Sequence, residues 1–137
     1  DSDAECKMLL NRSGKNPLDS VNCIVSKNEF LEMQSEVQNV FVSDDMARYI
    51  VSLISATRKH PLLSRGASPR ATLSLTNMAK AVAFAEGRDY IVPRDVQNIF
   101  ICTVNHRVIL NAKASASKKN SEEILHEILR KTPKPRT

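Results

Sequence analysis

The stretch Arg65-Gly66-Ala67-Ser68-Pro69-Arg70 has residue types that could bind an anion. Ser68 before Pro69 predicts a helix start, because serine is favoured as the capping residue and proline at the first helical position. The free N–H groups and the dipole make that end electropositive. Arg70 in the first turn opposes the dipole, whereas a bound anion would reverse that cost, and a guanidinium grips phosphate oxygens at two points. The alternative is a solvated surface arginine.

The cysteines and histidines of this sequence show no pattern of a functional site. They are Cys6, Cys23, Cys102, His60, His106 and His126. The cysteines are odd in number and widely spaced, so we expect buried or inert reduced thiols rather than disulfides or a zinc site. The Ser-Gly-Lys at residues 13–15 lacks the upstream glycine and the strand of a phosphate loop. We therefore predict no catalytic residue and no metal site, and no enzymatic activity for this chain alone.

Length and composition indicate one globular domain. The 137 residues are 42% hydrophobic and 26% charged, which is ordinary for such a domain. No apolar run approaches the ~18 residues that cross a membrane, and no signal peptide precedes the acidic start. We expect a cytoplasmic fragment or processed chain with no membrane partner. The net charge of +5 lies partly near the C-terminus, where we interpret it as solvating rather than as a nucleic-acid contact.

Periodicity and capping signals predict a mainly α fold of about six helices, with at most one tiny two-stranded sheet. The helices are predicted at 2–11, 26–38, 44–60, 69–86, from Pro93, and from Ser121, with loops at 11–16, 61–67 and 112–120. Ser26 and Glu29 form a predicted capping box. The short strand at residues 40–42 is a candidate to pair with residues 107–110.

Each predicted helix has an apolar stripe that is expected to face the core. The expected core positions are Met46, Ile50, Leu53, Ile54 and Thr57; Ala71, Leu75, Met78 and Val82; Val96, Ile99, Phe100 and Thr103; and Ile124, Leu125, Ile128 and Leu129.

Four ordered segments carry a resemblance to a family. They are Ala56-Thr57-Arg58, then Gly66-Ala67-Ser68-Pro69-Arg70-Ala71, then Gly87-Arg88-Asp89-Tyr90-Ile91-Val92-Pro93 with Asp95-Val96, and finally His106-Arg107. In this order and spacing the chain resembles the C-terminal lid domain of MoxR-type AAA+ ATPases, over nearly its whole length.

The resemblance implies a helical bundle that closes over ATP and Mg²⁺ held by a separate AAA+ core. It implies a junction with that core at residues 1–15, a lid at 16–131 and a flexible tail at 132–137. Arg70 resembles the sensor 2 arginine, which reaches the γ-phosphate. The family forms rings, commonly hexamers, acts as a chaperone, and often works with a von Willebrand factor A-domain partner. Without the core, the chain is expected to carry no bound nucleotide. Arg88→Ala is expected to matter much less than Arg70→Ala to turnover.

A second resemblance supports an alternative function. The segment from Gly87 to Val96 is also similar to the link before a capped helix in histone-fold proteins. It allows a small, basic, DNA-binding helical module. A basic stripe along one helix and interleaved aromatic residues, which such a module would favour, are missing from the sequence.

Overall fold

Helices form most of the chain in the computed structural model, which describes residues 1–11 and 16–135. The helices are α1 (Ser2–Asn11), α2 (Lys27–Asn39), α3 (Asp44–Lys59), α4 (Pro69–Ala85), α5 (Pro93–Val104), α6 (Ala112–Ala116) and α7 (Ser121–Lys131). Short 3-10 turns lie at Pro17–Ser20 and Asn105–Arg107. Most of the predicted loop at 11–16 and the last two residues of the predicted tail lie outside the described residues. The predicted mainly α class with one small sheet is confirmed.

The chain divides into two compact units, Asp1–Glu32 and Met33–Thr137. The first unit contains α1, the turn at Pro17–Ser20 and the start of α2. Ser26 and Glu29 exchange hydrogen bonds there: the Ser26 N–H donates to the Glu29 carboxylate at 2.7 Å, and the Glu29 N–H donates to the Ser26 hydroxyl at 3.3 Å. The predicted capping box is therefore confirmed, and the hydrogen bonds from Ser26 lower the pKa of Glu29.

The second unit holds a core built by α3, α4, α5 and α7. The predicted inner face of α3 is buried as expected, with Tyr49 in addition. The predicted face of α4 is wrong at two positions, because Met78 is 48% exposed and Val82 is only half-buried. The buried stripe instead repeats every four residues, at Ala71, Leu75, Ala79 and Ala83. Small side chains at this spacing let the neighbouring helices approach closely, and α4 packs against both α5 and α3.

The small sheet pairs segments that differ from the predicted ones. Strand β1 (Leu63–Arg65) pairs antiparallel with β2 (Ile109–Leu110), with Leu63 opposite Leu110. The predicted partner of residues 107–110, the segment 40–42, is therefore wrong, and the predicted loop at 61–67 contains a strand. Phe41 forms a parallel bridge with Tyr90 instead. Its N–H donates to the Asp89 carbonyl at 2.7 Å, and its own carbonyl accepts from the Ile91 N–H at 3.2 Å.

Asn111 explains why residues 109–110 pair with β1. Its side-chain amide donates to the Pro61 carbonyl at 2.8 Å, and its backbone N–H donates to the Leu62 carbonyl at 3.1 Å. Its side-chain oxygen also accepts from the Ala114 N–H and so caps α6. The predicted flexible loop at 112–120 therefore contains a short helix, whose Ala114 is fully buried.

The start of α7 also differs from its prediction in one residue. Asn120, not Ser121, is the capping residue, since its side chain accepts from the Glu123 N–H at 2.8 Å. The Ser121 hydroxyl donates instead to the side chain of Asn105 at 2.6 Å. Three of the four predicted apolar positions of α7 are buried, Ile124, Leu125 and Ile128, and Leu129 is half-buried against the same core.

Candidate anion-binding site at the start of α4

Arg70 is the second residue of α4 and follows Pro69, as the sequence predicts. Its side chain is exposed. Within the described chain, no hydrogen bond or ion pair engages its guanidinium, and its backbone N–H has no acceptor, as expected in the first turn of a helix. Both kinds of donor are therefore available to a ligand at this helix end.

Ser68 precedes Pro69 in the extended conformation of a capping residue, with φ −76° and ψ 165°. Its hydroxyl makes no capping hydrogen bond, so the predicted side-chain cap is wrong. Only its carbonyl takes part, accepting from the Ala71 N–H at 2.8 Å. Without a side-chain cap, the first turn of α4 keeps its electropositive character.

Thr57 fixes the segment that leads into α4. It is fully buried in the last part of α3. Its hydroxyl donates to the Ile54 carbonyl at 2.6 Å and accepts from the Ala67 N–H at 2.9 Å. Ala67 is itself fully buried and lies directly before Ser68. One hydroxyl thus ties the end of α3 to the entry of α4.

Gly66 allows the segment before α4 to pass close to the backbone of α3. A Cβ atom on this residue would lie 2.5 Å from the backbone nitrogen and Cα of Arg58 and 2.6 Å from the carbonyl carbon of Thr57. Such distances are far inside van der Waals contact, so only glycine fits. Two separate sequence motifs are therefore in contact in the structure, namely Ala56-Thr57-Arg58 and Gly66-Ala67.

Arg58 and Arg65 add positive charge beside this contact between α3 and the entry of α4. Both side chains are exposed, and in the described part of the chain neither has a hydrogen bond or an ion pair. Arg58 also lies in the last turn of α3, where a cation is favoured by the helix dipole regardless of any ligand. Among the described residues, Arg58, Arg65 and Arg70 are thus three exposed arginines without an ion pair, and all three lie within four residues of the contact between α3 and the entry of α4.

Arg88 has a structural role that the sequence does not reveal. Its guanidinium bonds both carboxylate oxygens of Asp95, whose side chain is 1% exposed. Arg88→Ala, which the sequence suggests as the comparison for Arg70→Ala, is therefore a poor control, because it would break this ion pair as well as remove a charge. Arg94 is the better match, because Pro93-Arg94 opens α5 as Pro69-Arg70 opens α4, and Arg94 is exposed.

Metal-ligating side chains, cysteines and apolar helices are further features on which the sequence makes a prediction. The described residues contain no cluster of three or more His, Cys, Asp or Glu side chains that could hold a metal ion. Their three cysteines are free and exposed, so of the two alternatives expected, buried or inert thiols, burial is excluded. None of their helices is both long and apolar enough for a membrane crossing.

Comparisons with known proteins agree with the fold. Residues 55–128 match the family described as the AAA lid domain. The chain is 34% identical to the uncharacterized protein YeaC of Bacillus subtilis, over 91% of this chain and 39% of that protein. It is 30% identical to chaperone MoxR1 of Mycobacterium tuberculosis, over 98% of this chain and 38% of that protein.

A crystal structure shows the same architecture. It is of a Cytophaga hutchinsonii protein assigned as an ATPase, and it superimposes with a TM-score of 0.85 at 33% identity, over 99% of this chain and 44% of that one. The chain spans less than half the length of these relatives.

The family match covers more than half of the sequence, and the helical fold agrees with it. The chain therefore belongs to the AAA lid domain family. Two of the relatives are named as MoxR proteins: chaperone MoxR1, and the protein MoxR of Methylorubrum extorquens, which is 43% identical over 36% of this chain and 14% of that protein.

Proposed function

We propose that this domain closes over ATP bound by an AAA+ core and that Arg70 is its sensor 2 arginine. The guanidinium would contact the γ-phosphate and couple that contact to lid closure. A lid held by a phosphate contact can reopen once hydrolysis removes that phosphate, which converts chemistry into movement.

The observation that supports this proposal is that the Arg70 guanidinium bonds to no other described residue and lies at a helix start whose preceding segment contacts Thr57. A guanidinium and an unbonded N–H at the N-terminus of a 17-residue helix suit a phosphate group. Thr57 and Gly66 hold the preceding segment in place, so Arg70 is presented from a fixed base. The match to the AAA lid family favours this function over the histone-fold-like DNA-binding module.

The rest of the machinery belongs to the core in this proposal. Since the described residues hold no cluster of metal-binding side chains, we assign the ligands of Mg²⁺ and most contacts to ATP to the core. We further propose a cytoplasmic homo-oligomeric ring, most simply a hexamer, with a chaperone role like that named for MoxR1. A von Willebrand factor A-domain protein is the proposed partner. Residues 1–15 would join the core to the lid at 16–131, followed by a tail at 132–137.

Steady-state ATP hydrolysis by the full-length ATPase tests the role of Arg70. Arg70→Ala should lower turnover by roughly 10²-fold or more, the scale of losing one electrostatic donor to a transition state. It should leave the melting temperature nearly unchanged, because the side chain is exposed and has no partner in the described chain. Arg70→Lys should restore little, because a point charge cannot reproduce the planar fork.

Arg94→Ala is the matched control. It removes an exposed arginine from the same position of the next helix, and turnover should stay near that of wild type. Equal rates for Arg70→Ala and wild type would show that Arg70 is only a solvated charge.

A further inference from the structure

We propose that Thr57 and Gly66 are positioning residues that set the location of Arg70 for nucleotide. This inference rests on the function proposed above. It assigns a role in turnover to two residues of which one, Thr57, is fully buried and cannot touch a ligand.

The first step is the Thr57 hydroxyl. Donation to the Ile54 carbonyl at 2.6 Å orients the hydroxyl, so that its lone pair faces the Ala67 N–H at 2.9 Å. Because Ala67 is fully buried, no water is available there to replace the acceptor. Loss of the hydroxyl would leave a buried donor unsatisfied, and the backbone would have to move to recover a partner.

The second step is the close approach at Gly66. Its Cα rests against the backbone of Thr57 and Arg58, where any side chain would meet main-chain atoms at 2.5 Å. Backbone atoms of a helix cannot turn aside as a flexible side chain can. A residue larger than glycine must therefore push the entry of α4 away from α3.

The third step joins these contacts to Arg70. Gly66 and Ala67 are held by α3, Ser68 is the capping residue, and Pro69 has a fixed φ and opens α4. Only three residues separate Gly66 from Arg70, and each is restrained: Ala67 and Ser68 by hydrogen bonds of their backbone groups and Pro69 by its ring. A displacement at residues 66–67 is therefore transmitted to Arg70 rather than absorbed.

A purely structural role for Thr57 would lower stability without acting through Arg70. A double-mutant cycle separates the two roles, because residues that act as a unit give non-additive losses. The variants are Thr57→Val, which keeps the shape and removes the hydroxyl, Arg70→Ala, and both together. Thr57→Ser, which keeps the hydroxyl, is the conservative control.

The experiment measures kcat and KM for ATP with the full-length protein, at a temperature well below the lowest melting temperature. Thr57→Val should lower kcat by roughly 10- to 100-fold with a smaller change in KM, the scale for a small misplacement of a reacting or stabilising group. In the Arg70→Ala background the same change should cost less than about twofold. Thr57→Ser should retain most of the wild-type rate.

Gly66→Ala gives the same cycle if Thr57→Val fails to fold, since it displaces the same segment while the hydroxyl of Thr57 stays present. Equal fold-losses in the two backgrounds, or wild-type turnover for Thr57→Val, would overturn the positioning role while Arg70 keeps its function. Wild-type turnover for Arg70→Ala would instead remove the function on which this inference rests.

Discussion

Arg88 and Asp95 form a two-point ion pair that joins the end of α4 to the start of α5. The guanidinium nitrogens lie 2.8 and 2.7 Å from the two carboxylate oxygens. Asp95 also accepts from the Val92 N–H at 2.8 Å, so the buried carboxylate is satisfied on both oxygens. The hydrogen bonds that Arg88 donates to Asp95, and secondly to Glu86, raise the pKa of Arg88 above its ordinary value. The guanidinium is therefore charged throughout the accessible pH range.

Removing Arg88 should destabilise the fold. Arg88→Ala leaves the nearly inaccessible Asp95 without its cation, and breaking such a pair costs about 2–4 kcal/mol. Chemical denaturation of wild type and variant gives the free energies of unfolding. Arg94→Ala, an exposed arginine with no partner among the described residues, should change stability by less than about 0.5 kcal/mol. Equal stabilities of Arg88→Ala and wild type would show that the pair contributes nothing net.

Gly87 ends α4 with a backbone conformation that favours glycine. Its φ is +73°, and a Cβ atom there would meet nothing within 4 Å. Gly87→Ala should therefore cost about 1 kcal/mol through the backbone alone, without changing turnover. Gly87→Asn should cost less, since asparagine tolerates this region. Denaturation midpoints of wild type, Gly87→Asn and Gly87→Ala should fall in that order. A midpoint for Gly87→Ala equal to that of wild type would contradict the prediction.

Glu127 makes the stability of α7 sensitive to acid. Its carboxylate bonds Lys131 at 2.6 Å and Lys119 at 3.1 Å, and these contacts lower its pKa to about 2. A carboxyl whose pKa is lower in the folded state stabilises the fold above its unfolded pKa of about 4.3 and loses that contribution as the pH falls toward 2. Glu127→Gln should therefore reduce the drop in melting temperature between pH 6 and pH 3.

Glu122→Gln is the control for this pH dependence. Glu122 lies on the same helix and forms no ion pair in the described chain, so its replacement should change the acid sensitivity less. Identical pH profiles for Glu127→Gln and wild type would rule out a contribution from the pair. Raising the salt concentration should weaken the effect, because the lysines are largely exposed.

The 137-residue chain should fold alone but release no phosphate from ATP. Its second unit has its own core, formed by helices whose capping residues are largely in place. The sequence, in contrast, lacks a phosphate loop. Thermal unfolding should be cooperative, and phosphate release should not exceed a blank without protein. Turnover by the purified chain would contradict the division of roles between core and lid.

Local signals predicted the elements of this fold well, because capping and periodicity are written in neighbouring residues. The Ser26–Glu29 box and the proline starts of α4 and α5 occur where the sequence places them. The face of α4 was less predictable. Alanine and methionine both count as apolar, and only the closeness of neighbouring helices selects Ala79 over Met78.

Long-range relationships could not be predicted from the same signals. The β1–β2 pairing depends on Asn111, whose side-chain bonds reach back fifty residues to Pro61. The hydrogen bond between Thr57 and Ala67 joins two motifs that are ten residues apart, and nothing in the sequence indicates that they are in contact. Arg70 could be proposed from the sequence because a cation in the first turn of a helix is a local pattern. The contacts of Thr57 and Gly66 with the segment before it became visible only in the structure.

The order of the two strands along the chain has a consequence for folding. All of α4 and α5 lies between Leu63 and Leu110, so the strands can meet only after the intervening chain has folded back on itself. Closing so long a loop lowers the entropy of the chain, whereas contacts within and between neighbouring helices close much shorter loops. We expect the helical pair to assemble first and the strands to join late. The Asn111 amide proton, held by the Leu62 carbonyl, would then resist solvent exchange only in molecules that have completed the fold.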